Sequence, residues 1–169
     1  MILHPEYHKE VTLYFTDEAD IQPNAIDLRI NSISKINPEG SCFILRENSK
    51  QHLARSAVEP MRTEHGPNMY RLEPGTYDVQ FLNFVKLPIG FCGSIIPRST
   101  LCRNGVIIQS GLYDSGYEGN IGAALHIKHE SFIEANSRIA QFLLYRSETY
   151  HLYDGSYGEG KPEEKQLYE

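Results

Sequence analysis

Ten residues, Ile96-Pro97-Arg98-Ser99-Thr100-Leu101-Cys102-Arg103-Asn104-Gly105, set two arginines five positions apart around two hydroxyl side chains. Guanidinium groups take phosphate in bidentate fashion, and hydroxyls and backbone N–H groups add further donors. The cluster suits a ligand with several phosphates, although nearby arginines also serve as surface ion-pair partners. A second segment, Gly111-Leu112-Tyr113-Asp114-Ser115-Gly116-Tyr117-Glu118-Gly119, places three glycines around an aspartate and two tyrosines. Such a stretch predicts a β-hairpin whose backbone can approach a ligand closely. Asp114 is able there to orient and partly deprotonate a water, or simply to cap the turn. Tyr117 has the shape to lie against a sugar and leave no room for a 2′-hydroxyl.

Two shorter segments complete the inventory. Arg138-Ile139-Ala140-Gln141 opens an apolar strand, and Ile21-Gln22-Pro23-Asn24-Ala25-Ile26-Asp27-Leu28-Arg29 carries another aspartate, Asp27. Asp27 reads either as a ligand-site carboxylate or as a turn residue at a strand edge. Zinc chemistry finds little support. His4-Pro5-Glu6 has the form H-x-E, but no Pro-Cys-x-x-Cys follows. Cys42, Cys92 and Cys102 have no metal-ligand spacing.

The elements that must position these residues read as strands. Val11–Phe15, Cys42–Leu45, Tyr77–Phe84, Gly105–Gln109, Ile121–Ile127 and Ile139–Tyr145 mix β-branched and aromatic residues, with turn formers between them. Asn48–Val58 is the best helical segment, with Leu53, Ala54 and Ala57 on one face, and 60–73 predicts a long exposed hairpin. Many short strands predict an all-β fold closed as a barrel or jelly roll. No linker or repeat divides the 169 residues, so a single domain over 1–169 is expected. From Gly155 onward glycine, proline and charge dominate, which predicts a mobile tail over 155–169 that frays or orders over a bound ligand. The formal charge of −6 argues against a nucleic-acid polymer as partner. Three scattered cysteines, the absence of a signal-like start and of any long apolar run predict a cytoplasmic protein with no membrane partner.

Taken together and in order, the four segments resemble the motifs of the trimeric dUTPases and dCTP deaminases. "IQPNAIDLRI" looks like the first motif, "PRSTLCRNG" the second, "GLYDSGYEG" the third and "RIAQ" the fourth. "LYDGSYGEGK" is similar to the family's glycine-rich tail, so the resemblance runs from residue 21 to 161. It implies a distorted β-barrel (the β-clip, dUTPase-like fold) assembled as a homotrimer, with active sites at subunit boundaries. By motif, Arg98, Ser99, Thr100 and Arg103 would contact a triphosphate. Gly111 and its neighbours would read the base through backbone groups, Asp114 would hold the 3′-hydroxyl or the attacking water, and Tyr117 would pack under the deoxyribose. Gln141 would reach a phosphate or the base edge, and Tyr153, Tyr157 and Lys161 would close over the nucleotide. Asp114, Arg103 and Ser99 form the expected catalytic set. Mg²⁺ would ride mainly on the triphosphate, with Asp27 touching its water shell.

Deaminases of this family use a glutamate ten residues after the hairpin aspartate. Here that position is Ala124, and an alanine cannot relay a proton. Hydrolysis of dUTP to dUMP and pyrophosphate needs no group there, only an aligned water and a neutralised triphosphate. The expectation is therefore a dUTP diphosphatase. The alternatives are a dCTP deaminase or bifunctional deaminase–dUTPase, and a nucleotide-binding protein without catalysis. The Thr100–Arg103 stretch, "QPNAIDLR" and the tail look more like the deaminase branch, a mixture that archaeal dUTPases share.

Overall fold

The computed structural model describes residues 1–37, 39–47 and 49–162. Its strands are β1 (Ile2–Leu3), β2 (Thr12–Tyr14), β3 (Ile21–Gln22), β4 (Ala25–Asn37), β5 (Ile44–Arg46), β6 (Ser49–Gln51), β7 (Ala54–Ala57) and β8 (Met61–Thr63). They continue with β9 (Gly66–Leu72), β10 (Gly75–Lys86), β11 (Phe91–Pro97), β12 (Ile107–Gln109), β13 (Glu118–Ile127), β14 (Ser131–Glu134) and β15 (Arg138–Arg146). Among the described residues one short α-helix, α1 (Ser99–Arg103), joins them. The all-β expectation holds.

The main sheet runs β15-β4-β10-β13-β12, with every pairing antiparallel, and β11 adds to the far side of β15. Gly93 in β11 also bridges Tyr113, just beyond β12. The sheet thereby curls until its two ends meet, which leaves few free edges. Period-2 burial explains why these strands form: in β13 residues 119, 121, 123, 125 and 127 point inward and the intervening ones outward. Phe81, Leu125, Phe142, Ile33 and Leu28 meet inside this curl. Gly93 permits the tightest approach, because a Cβ there would lie 2.1 Å from the Phe142 ring.

The segment expected as a helix is a correction. Apart from Asn48, which lies outside the described residues, 49–58 forms β6 and β7. Ala54–Ala57 pair with Ser34–Asn37 of β4, so ladder hydrogen bonds to a neighbouring strand override a weak helical pattern. The hairpin expected over 60–73 is present as β8 and β9, and β14 pairs onto β9.

Candidate active site

Asp27 lies inside β4 and is fully buried, paired in register with Gln141 of β15. Gln141 donates its amide Nε2 to Asp27 Oδ1 at 3.0 Å. Asp27 Oδ2 has no hydrogen bond among the described residues, but the guanidinium groups of Arg98 and Arg138 each stand 3.6 Å away. A second buried carboxylate, Asp20, accepts two hydrogen bonds from Arg29 at 2.9 and 2.7 Å. That contact holds the Arg29 guanidinium above its usual range. Arg138 ties the two carboxylates together, standing 3.9 Å from Asp20 and donating to the Ala19 carbonyl at 2.7 Å.

Pro97 ends β11, and Arg98 becomes the N-cap of α1, with its backbone N–H on the Ile139 carbonyl at 3.0 Å. Ser99, Thr100 and Arg103 follow on the exposed surface of that single turn. Arg103 has no hydrogen-bond or ion-pair partner among the described residues. Arg29, Arg98 and Arg138 thus share only two buried carboxylates, and the turn that Arg98 opens bears a further arginine without a partner among the described residues. The excess positive charge suits an anion.

The predicted hairpin is present in extended form: β12 and β13 pair, and 110–117 loops between them. Ser115 anchors the loop from inside, donating to the Phe91 carbonyl at 2.6 Å and lying 2.7 Å from Thr149 Oγ1. Gly116 turns at φ +91° and donates to the Leu87 carbonyl. Asp114 is exposed on a cavity of about 480 Å³, and its carboxylate makes no hydrogen bond among the described residues. Tyr117 is 6% exposed, wedged edge-on between Tyr113 and Tyr153. It lines a second cavity, of about 350 Å³, floored by Gly122, Ala123 and Ala124 and rimmed by Gly111. Leu112 and Tyr153 stand on the walls of both cavities.

Residues 153–161 fold back over this hairpin. Tyr153 donates its N–H to Ser115, Glu159 donates to Glu118, and Gly158 packs against Gly119. Tyr157 N–H reaches the Tyr153 hydroxyl, Lys50 reaches Ser156, and Lys161 stands 3.9 Å from Asp154. Residues 163–169, the remainder of the expected tail, lie outside the described residues.

The dCTP deaminase-like family pattern matches residues 3–147. The chain belongs to that family. It is 32% identical over 142 residues to the deoxyuridine 5′-triphosphate nucleotidohydrolase of Methanocaldococcus jannaschii, covering 83% of this chain and 88% of that one. It is 31% identical over 138 residues to the "probable deoxyuridine 5′-triphosphate nucleotidohydrolase" of Halobacterium salinarum, covering 81% and 82%. The fold matches a 2′-deoxycytidine 5′-triphosphate deaminase from Agrobacterium tumefaciens with a TM-score of 0.62 at 16% identity. That match covers 85% of this chain and 46% of the other, so the chain spans about half of that longer protein.

Within this dCTP deaminase-like chain the motif residues fall into two groups. Asp27 contacts both Arg98 and Gln141, with Ser99, Thr100 and Arg103 on the adjoining turn. Gly111, Asp114, Tyr117, Tyr153, Tyr157 and Lys161 gather at the hairpin. The cavity holding Asp114 and the one lined by Thr100 and Arg138 share no residue. Sequence reading passed over Asp20, Arg29 and Arg138. Arg29 and Arg138 sit inside the first and fourth motifs, so their charge beside Asp27 was the available signal.

Proposed function

We propose that the chain hydrolyses dUTP to dUMP and pyrophosphate, as the names of its archaeal relatives say of those proteins. The observation that carries this is Ala124 on the floor of the hairpin cavity, where a methyl group offers neither a proton nor an acceptor. Asp114, exposed and without a side-chain partner among the described residues, is placed to orient and activate a water for in-line attack on the α-phosphorus. Arg98, Arg103, Ser99 and Thr100 take the phosphates, and the Asp27 carboxylate, itself held by Gln141, braces Arg98 from behind. The hairpin backbone around Gly111 receives the base, and Tyr117 with Tyr153 bounds the sugar.

Among the described residues no three His, Cys, Asp or Glu side chains gather to hold a metal. Asp27 faces two guanidinium groups, a poor direct ligand site for a divalent cation. The residues therefore fit Mg²⁺ that arrives on the triphosphate, where it would offset the charge of the pyrophosphate leaving group. Asp27 serves there by bracing arginines.

The two residue groups make two half-sites, which supports a homotrimer whose phosphate-binding turn meets the hairpin of a second copy. Among the described residues no helix is long and apolar enough to cross a membrane; the place of action we propose is the cytoplasm. Mixing Asp114→Ala and Arg103→Ala proteins after dissociation and reassembly tests the shared site. Each alone is expected to have lost nearly all turnover with dUTP, and the mixture to regain a substantial fraction. A mixture as inactive as its parents, or an active Asp114→Ala protein, contradicts the proposal.

A further inference from the structure

The hairpin cavity has a charged flank that no motif includes. Register places Asp78 of β10 directly opposite Ala124 of β13, and Gln109 of β12 opposite Ala124 on the other side. All three line the cavity, so the small Ala124 lies between two polar side chains. Directly opposed residues on one face have Cβ atoms about 4.5–5.5 Å apart. Arg55, at the start of β7, crosses β4 to reach this row. Its Nε donates to Asp78 Oδ2 at 3.2 Å and its Nη1 to the Leu53 carbonyl at 3.1 Å. Acceptors on two different edges of a rigid guanidinium fix its plane. Its Nη2 makes no hydrogen bond among the described residues, and the Arg55 side chain is only 20% exposed on the cavity wall.

Resting on the nucleotide-hydrolase reading above, we propose that Arg55, braced by Asp78, is the specificity-determining residue that selects a 4-keto over a 4-amino pyrimidine nucleotide. A 4-keto base presents an acceptor to a guanidinium that can only donate. A 4-amino base presents a donor instead, which leaves both groups unpaired in a half-buried cavity. Sites built to hydrogen-bond a substrate reject analogues most strongly through such unpaired groups. Asp78 is a positioning residue: it holds Arg55 and does not touch the base. Ala124 contributes by its size, leaving the base room to lie between Arg55 and Gln109.

The test compares kcat/KM for dUTP and dCTP, read as pyrophosphate release with Mg²⁺, in wild type, Arg55→Leu and Arg55→Gln. The wild-type preference for dUTP is expected to fall about 10- to 100-fold in Arg55→Leu, the range for losing one charged hydrogen bond. Arg55→Gln retains the stem and one donor, so it keeps the fold if leucine does not and still loses much of the preference. Damage that is merely structural lowers both substrates together. A dUTP-to-dCTP ratio within about threefold of wild type in a folded variant overturns the assignment. Wild type that releases no pyrophosphate from dUTP sinks the hydrolase reading instead. The same ratio is then read from the Kd values of non-hydrolysable dUTP and dCTP analogues, and a wild type that binds neither, or both equally, overturns the role of Arg55.

Discussion

Asp27→Asn removes one charge from a site that cannot spare it. The carboxylate is fully buried, with two guanidinium groups at 3.6 Å. At that separation Coulomb attraction is about 1 kcal/mol per pair in water and about 5 kcal/mol at an effective dielectric of 20. Arg98 and Arg138 side chains are 35% and 33% exposed, so solvent screens part of this. Breaking a fully buried pair by removing one partner costs about 3–5 kcal/mol; with the arginines partly wet, about 2–4 kcal/mol is expected. The asparagine keeps an acceptor for Gln141, so the loss is electrostatic and not a cavity. For a chain of this length 1 kcal/mol shifts Tm by roughly 2–4 °C, which puts the drop at roughly 4–16 °C. Thermal unfolding at fixed protein concentration measures it, because any assembly makes Tm concentration-dependent. An Arg138→Met background should shrink the effect, since the two changes share a partner. An Asp27→Asn protein within about 0.5 kcal/mol of wild type refutes the view that this carboxylate holds the arginine cluster together.

Three further outcomes are expected. Gly93→Ala drives a methyl into the Phe142 ring, 2.1 Å away; overpacking of this kind costs about 1–3 kcal/mol or more, and Phe142→Leu should restore part of the lost Tm. Gly158→Ala puts a Cβ 2.7 Å from the Glu118 carbonyl at a φ of +111°, so limited proteolysis should cut 153–161 faster while the barrel's Tm barely moves; unchanged cleavage contradicts the packing of that segment. Burial pushes the Asp78 carboxyl above its ordinary 3.8, and Arg55 and His52 pull it only partly back. A carboxyl raised on folding contributes stability that is present below its unfolded value and lost as pH rises through the folded one. The Tm of wild type minus that of Asp78→Asn should therefore fall on going from about pH 4 to 7, and a rising difference contradicts the dominance of burial.

Much of this could be read from the sequence. The strands with β-branched and aromatic alternation, such as Tyr77–Phe84 and Ile121–Ile127, appear inside β10 and β13. The four motifs pointed to the family, and the alanine at position 124 to hydrolysis over deamination. The longest strand, β4, gave no such signal, because Ala25 through Leu28 are buried on both faces and lack a period of two. For the same reason Asp27, which read equally well as a turn residue, turns out to lie inside the strand, three residues into β4. Asn48–Val58 looked helical because Leu53, Ala54 and Ala57 share one face, yet backbone partners on β5 and β4 make strands of 49–51 and 54–57. Arg55 and Asp78 are 23 residues apart, and only the register of β7 on β4 and β10 on β13 brings them to Ala124. Pairings set by register between distant strands leave no local pattern to read.

The reaction itself is open to direct measurement. Purified protein incubated with Mg²⁺ and either dUTP or dCTP, followed by chromatographic separation of the nucleotides, tests it directly. dUMP and pyrophosphate from dUTP, with dCTP left intact, is the predicted result. Any dUTP or dUMP formed from dCTP would mean that deamination proceeds over Ala124 and that the enzyme is not a simple dUTP hydrolase.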